Sequence, residues 1–406
     1  MQGAPIIIIG AGISGLVLAQ ALKSRSVPFR VYERDASLTA RDQGYRFRIS
    51  DEAIDALKEC LRPETYEQVE RTTAYVKPGS STAPPVQIDA MTGEPMASRF
   101  GKGTPNPNPL ERKQTLSVDR TALRAVLLEG IEHSVEFGKA FERYEETPKG
   151  VLVRFQDGST ASGSLVIAAD GSRSHVRHQL LPEFRLLDTG ARLIYGKTVL
   201  SPELRREMSQ YVKEDLSLYL DLPHHLFGGA ETMAFSKTED KVPKDYVYWF
   251  FFVPDALVPK DRYLSSDETV ALARSTTAHW DAGWRALQDA KHHPQARLVR
   301  VPTTHPDHLP SYDMKAKVIL MGDAAHAMAT TSSLGATTAI RDAGAIMEAL
   351  MANRKDDGGL VVESARSEYE ENMRVYAAQA LWKTQMGGKM VMGMKGFGEL
   401  EPMAEG

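Results

Sequence analysis

Three short turns, far apart in the chain, hold the residues whose types and spacing could do chemistry. In Pro5–Gly15, PIIIIGAGISG, an apolar run ends in G-x-G-x-x-G and leads into an amphipathic segment from Leu16 to Leu22. That order reads as strand, tight turn and helix. Gly10 permits the turn, Gly12 removes the side chain that would keep a pyrophosphate from backbone N–H groups, and Gly15 lets helix and strand approach closely. The helix start would face the phosphates with partial positive charge. A second apolar run, Val27–Tyr32, ends at Glu33, 18 residues after Gly15, with Arg34 next. A carboxylate placed there accepts hydrogen bonds from ribose hydroxyls, so the segment reads as a dinucleotide site.

Which dinucleotide it takes is decided further along. Leu165–Arg177, LVIAADGSRSHVR, is a buried strand running into an Asp-Gly turn and a basic helix start. Lys317–His326, KVILMGDAAH, is another strand, ending in Gly322-Asp323. Together with Asp119–Arg124, DRTALR, and the N-terminal turn, these segments resemble the motifs of the single-component flavoprotein monooxygenases, the p-hydroxybenzoate and salicylate hydroxylase group. Gln43–Arg48 and Ile194–Lys197 resemble the branch that acts on secondary metabolites.

The resemblance implies an α/β protein: a Rossmann-like FAD-binding domain of the GR2 type, an inserted β-sheet substrate domain and C-terminal helices. It implies FAD as cofactor and NADPH or NADH as electron donor, bound transiently without a second nucleotide fold. The reaction it implies is hydroxylation or epoxidation of an aromatic, indole or alkene secondary metabolite through a flavin C4a-hydroperoxide. Asp323 would accept hydrogen bonds from ribityl hydroxyls, and Arg120 and Arg46 would neutralise phosphate or clamp the flavin edge with their planar donors. Asp170 would repel a phosphate, so it is expected to hold Arg173 or the turn. The expected cofactor contacts are Gly10, Gly12, Gly15, Glu33, Arg34, Gly44, Arg46, Arg120, Asp170, Gly322, Asp323, Gly335 and Ala336.

One stretch departs from the family pattern. Where prolines, a first glycine and an asparagine usually follow G-D-A-A-H, this chain has Ala329 or Thr330, Ser332 and Thr337, keeping Gly335 and Asp342. The loop is more polar and is expected to be less rigid, which leaves a redox-neutral cyclisation or rearrangement on the same fold as the alternative function. A non-catalytic binding module is the third reading. A helix starting near Leu334–Thr337 would place N–H dipoles beside the pyrimidine edge of the flavin.

These turns need elements to position them. The cofactor domain is expected to be discontinuous, over 1–72, 110–182 and 310–352, with 73–109 and 183–309 as the substrate domain. Residues 353–406 would form a C-terminal helical segment and tail, with Gly387-Gly388 in a flexible part. Within 73–109, Met91-Thr92-Gly93-Glu94 reads as a hairpin turn and Asn106-Pro107-Asn108-Pro109 as a rigid loop. Strands are expected at Arg192–Val199, Leu216–Leu222, Thr232–Ser236 and Tyr246–Val253. The last is apolar on both faces. One face would meet Trp280 and Trp284, while Tyr248, Phe250 and Phe252 on the other would either fill a core or line a pocket for a planar substrate.

Catalytic groups are the least legible part. Arg192 and Tyr195 lie three apart on one expected strand, so only one can face the flavin; Arg192 either polarises a substrate oxygen or makes an ion pair. The pairs His224-His225, His292-His293 and His305/His308 read as solvated loop histidines rather than metal ligands, and His326 as structural.

Composition fits this picture. The chain has 406 residues, 42% of them hydrophobic, enough for two domains. A net charge of −4 with interspersed signs offers no stripe for nucleic acid. Cys60 is the only cysteine, which excludes disulfide frameworks and cysteine-ligated zinc. Without a leader-like start or an apolar run near the roughly 18 residues a membrane span needs, a cytoplasmic monomer or homodimer acting on a small, largely apolar molecule is expected.

Overall fold

The computed structural model describes residues 4–40, 45–75, 85–97, 115–213, 216–235, 242–253, 255–259, 262–313, 316–332, 334–355, 359, 361–392 and 394–403. Its first sheet has five parallel strands in the spatial order Val318–Leu320, Leu165–Ala168, Ile6–Ile9, Phe29–Glu33 and Val135–Phe137. The three strands at one end of that order are apolar at every position and buried at every position. They must be, because both faces are covered. Helices Ile13–Ser24, Arg120–Leu128 and Leu334–Ala352 lie on one face, and a three-stranded antiparallel sheet, Phe141–Thr147, Gly150–Phe155 and Thr160–Gly163, on the other.

The register decides where the turns go. Ile9 pairs with Ala168, and Ala168 with Leu320, so three strands end side by side. Their next residues stay stitched together, Ala169 N–H donating to the Ile9 carbonyl at 2.8 Å and Met321 N–H to the Ala168 carbonyl at 3.0 Å. The turns at Gly10, Asp170 and Gly322 therefore leave one edge of the sheet together.

A second sheet has seven strands: Gln295–Thr303, Leu187–Val199, Tyr246–Val253, Leu226–Met233, Ser217–Asp221 and Val86–Asp89 in that order, with Glu401–Pro402 pairing Leu187 and Asp188. Tyr246–Val253 has the expected bounds. Val247, Trp249, Phe251 and Val253 point into a core with Trp280 and Trp284, whose rings lie 4.6 Å apart. Trp284 is on helix Ala282–Ala286 and Trp280 on the turn before it, ordered by the Asp281 cap. Thr232–Ser236 is corrected: the strand is Leu226–Met233. The expected hairpin at 91–94 is present, with the Asp89 carboxylate accepting the Met91 and Thr92 N–H groups. The Asn106–Pro109 loop and Gly44 lie outside the described residues.

The C-terminal expectation also needs correction. Gly387 and Gly388 lie inside one helix, Val362–Met392, which packs along Leu334–Ala352. Gly388 is there because a side chain would meet Met394, with Sδ 2.2 Å from a Cβ placed on it.

Candidate functional site

The three glycines of the first turn divide their work as the spacing requires. Gly10 has φ +108°, and a Cβ on it would lie 2.4 Å from the Ala169 carbonyl oxygen; on Gly15 it would lie 2.2 Å from the Gly10 oxygen. Both are fixed by protein packing against protein. Gly12 is different, since a Cβ there meets only one atom, the Ala169 oxygen at 3.9 Å. Its open side is where a ligand backbone can approach, above the start of helix Ile13–Ser24, which has no side-chain cap.

Glu33 is buried and oriented by protein. One of its oxygens accepts the Ala11 N–H at 2.8 Å and the other the Asp35 N–H at 3.0 Å. Each carboxylate oxygen keeps a lone pair for a ribose hydroxyl. Behind it, buried Arg124 donates to the Ala11 carbonyl at 3.0 Å and stiffens the turn. Arg34 is exposed beside it.

At the third turn Gly322 adopts φ +59° and starts helix Asp323–His326. Asp342, on helix Leu334–Ala352, accepts the Gly322 N–H at 2.6 Å and meets His326 Nε2 at 2.7 Å, while Tyr376 donates to its other oxygen at 2.5 Å. Burial opposes charge on the His326 imidazole, but the Asp342 partnership overrides it and raises its pKa. The Asp323 side chain itself is accessible. Its pKa is raised by the surrounding protein, against the pull of His326, Arg120 and Arg177. The Arg120 guanidinium lies over the Tyr45 ring at 5.6 Å, and its charge favours the ionised form of Asp323.

Asp170 faces its own turn, accepting the Val176 N–H at 3.3 Å. Arg173 is not its partner, because that guanidinium reaches outward to Tyr263. The residue that does the joining was not anticipated. Arg177, buried, donates to the Ser172 carbonyl at 2.6 Å and the Ala324 carbonyl at 3.0 Å, tying the second turn to the third.

Two further expectations change. Arg46 is committed to a buried ion pair with Glu231 on the second sheet, where Arg48 also donates to Glu231 at 3.1 Å and Ser117 at 3.0 Å. A guanidinium locked there ties strand Arg46–Ile49, which pairs with Leu116–Asp119, to the second sheet and is not presented to a phosphate. Arg192 is bidentate to Asp188, at 2.8 and 2.9 Å, and reaches Asp255 at 2.7 Å. The ion pair, not the pocket, holds it.

Tyr195 points the other way, with its ring 4.7 Å from Tyr45. Burial pushes its hydroxyl well above the ordinary pKa of 10.0, so it stays protonated and can donate. The same face carries Tyr248, Phe250 and Phe252. Of the residues in strand Tyr246–Val253 only Phe250 is not buried. The polar loop after His326 is anchored without proline: Thr331 donates to the Thr384 carbonyl at 2.7 Å, and the Ala327 carbonyl accepts Thr304 N–H at 2.7 Å. The first turn of helix Leu334–Ala352 holds Gly335, where an added Cβ meets only Met328 at 3.5 Å, and Ala336.

Of the loop histidines named above, His224, His225, His293 and His308 are exposed and only His292 is buried. His292 is buried on Glu207, and His224 and His279 both meet Asp221. Among the described residues no helix is long and apolar enough to cross a membrane.

Comparison with known proteins adds an independent line. The FAD binding domain family matches residues 111–382, and an NAD(P)-binding Rossmann-like domain family matches residues 8–67. The dual O-methyltransferase/FAD-dependent monooxygenase CTB3 of Cercospora beticola is 34% identical, covering 96% of this chain and 46% of that protein. The chain thus spans about half the length of that relative. The FAD-dependent monooxygenase thnD of Trichoderma harzianum is 26% identical over 96% of this chain and 93% of its own. A putative FAD containing monooxygenase from Photorhabdus luminescens superposes with a TM-score of 0.76 at 25% identity, covering 96% of this chain and 99% of that one. Klebsiella pneumoniae HpxO, complexed with FAD and uric acid, superposes at 0.73 with 23% identity over 97% and 90% of the two chains, a likeness of fold.

Proposed function

This chain belongs to the FAD binding domain family with FAD as its cofactor, and on that premise we propose that it is an NAD(P)H-driven monooxygenase that hydroxylates or epoxidises an aromatic, indole or alkene secondary metabolite. The observation that carries this reading is the meeting of three turns at one sheet edge. When bound, FAD supplies electron transfer from reduced nicotinamide and the activation of dioxygen.

The residues around it have separable tasks. The start of helix Ile13–Ser24 and Arg120 hold the pyrophosphate, Glu33 the ribose and Asp323 the ribityl hydroxyls. The first turn of helix Leu334–Ala352 presents N–H dipoles at Gly335 and Ala336 to the pyrimidine edge, stabilising negative charge there. Phe250 and Phe252 exclude water over the ring and stack on a planar substrate. Tyr195 keeps its proton and donates it as a hydrogen bond to a substrate oxygen, which fixes the ring that is attacked.

Stoichiometry tests the reading. Turnover of a panel of phenols, indoles and alkenes should consume NADPH and dioxygen one for one with product. Turnover that consumes neither would favour the redox-neutral cyclisation or rearrangement that the serine- and threonine-rich loop at 330–333 leaves open.

A further inference from the structure

The face of the second sheet turned to the cofactor domain is graded in chemistry along the strands. Strand register sets side chains in rows across it. One row runs Val299, Leu193, Phe252 and Phe227, wholly apolar, and packs with Ala329 from the loop after His326 and with Met394. The next row runs Arg297, Tyr195 and Phe250, and the one after it Gln295, Lys197 and Tyr248. Gly196, between them, faces the opposite side, against Trp249. So Lys197 and Arg297 share the Tyr195 face.

These two cations line a cleft of about 150 Å³ that reaches from Tyr45 and Tyr195 to Ser266 at the edge of the sheet. Among the described residues neither has an acidic partner. The other basic groups of this region are committed: Arg46 and Arg48 to Glu231, and Arg192 to Asp188 and Asp255. The start of helix Ser266–Thr276 is already answered by the Ser265/Glu268 capping box, so it adds no free anion site. A cleft that ends in two cations beside a tyrosine donor, on a face where the next strand sets Phe250 opposite Tyr195 and Phe252 opposite Leu193, is complementary to a planar molecule with an anionic oxygen group at one end.

We propose that Lys197 and Arg297 anchor the substrate by a carboxylate or acidic phenolate, so that its apolar body lies along Phe250 and Phe252. This rests on the reading that the Tyr195 face covers the flavin. The same chemistry could serve a dinucleotide phosphate, and the test separates the two.

Calorimetric binding of 2-naphthoate, of its uncharged methyl ester and of NADPH is measured on the FAD-loaded full chain and on K197M/R297M, with each single variant in parallel. Methionine keeps the apolar stem of either side chain. The wild type should bind the acid on the order of tenfold more tightly than the ester, the double variant should bind both alike, and NADPH affinity should not move. No preference in the wild type, binding of neither aromatic, a preference that survives the double variant, or a loss of NADPH affinity would each overturn the assignment. Failure of the underlying reading looks different: a chain that retains no FAD before any ligand is added.

Discussion

Arg177 donates to the Ala324 carbonyl at 3.0 Å, across 147 residues of sequence, and so makes the Asp170 turn and the Asp323 turn one rigid unit. The same guanidinium holds the Ser172 carbonyl at 2.6 Å. Arg177→Met keeps the stem and removes every donor, leaving buried carbonyls unanswered. We expect a loss of about 2–4 kcal/mol in urea unfolding. FAD affinity should fall at least about tenfold, since both turns must hold the cofactor. Full FAD affinity in this variant would show that the turns keep their places without it.

The His326–Asp342 pair gives the fold a pH dependence with a definite sign. The folded-state pKa of His326 is raised above its ordinary value of 6.5. Its contribution to stability is therefore fully present below about pH 6.5 and is lost as pH rises through the higher folded value. Urea midpoints followed from pH 5.5 to 9 should show the wild type losing, on the alkaline side, an advantage over His326→Asn that it holds on the acid side. A constant gap would mean that His326 does not titrate in this range.

Phe250 and Phe251 are neighbours with opposite duties. Phe251 is fully buried, at 0% exposure, against both indoles, whereas Phe250 lies on the Tyr195 face and is only partly covered. Phe251→Ala should cost about 3–5 kcal/mol. Phe250→Ala should cost less than about 1.5 kcal/mol but abolish most substrate-dependent NADPH consumption, with FAD retained. Equal stability losses would place both rings in the core.

Gly196 has no room for a methyl group. A Cβ there would lie 2.2 Å from Trp249 Cζ2, and the indole cannot yield, because its Nε1–H is bonded to Thr198 at 3.0 Å. Gly196→Ala should therefore destabilise the second sheet by about 1–3 kcal/mol, read from thermal or urea unfolding. An unchanged midpoint would mean that the indole shifts freely.

The contrast between Gly10 and Arg177 explains how much the sequence could tell. Gly10, Gly12 and Gly15 act on backbone within a few residues, so their roles are legible from local pattern, as are the strands at 165–168 and 318–320. Tyr246–Val253 is legible because eight consecutive apolar residues can only be a strand covered twice. Arg177 is invisible because its Ala324 partner is the carbonyl of a distant segment, and Arg46 misleads because Glu231 reaches it only once strand Arg46–Ile49 packs on the second sheet. Strand Leu226–Met233 is hidden by Gly228 and Gly229, which read as a break but sit where Phe250 and Trp280 leave no space for a Cβ. Strand Gln295–Thr303 is an edge strand with Arg297 and Arg300 exposed on it, so no apolar run announces it.

Titration of the cofactor-free chain with FAD, followed by quenching of flavin fluorescence, tests the convergence of the three turns most directly. The account predicts saturation at one FAD per chain, and loss of that binding in Gly12→Val, where a branched side chain would fill the open approach to the helix start. No uptake of FAD by the wild-type chain, or undiminished uptake by Gly12→Val, would contradict it.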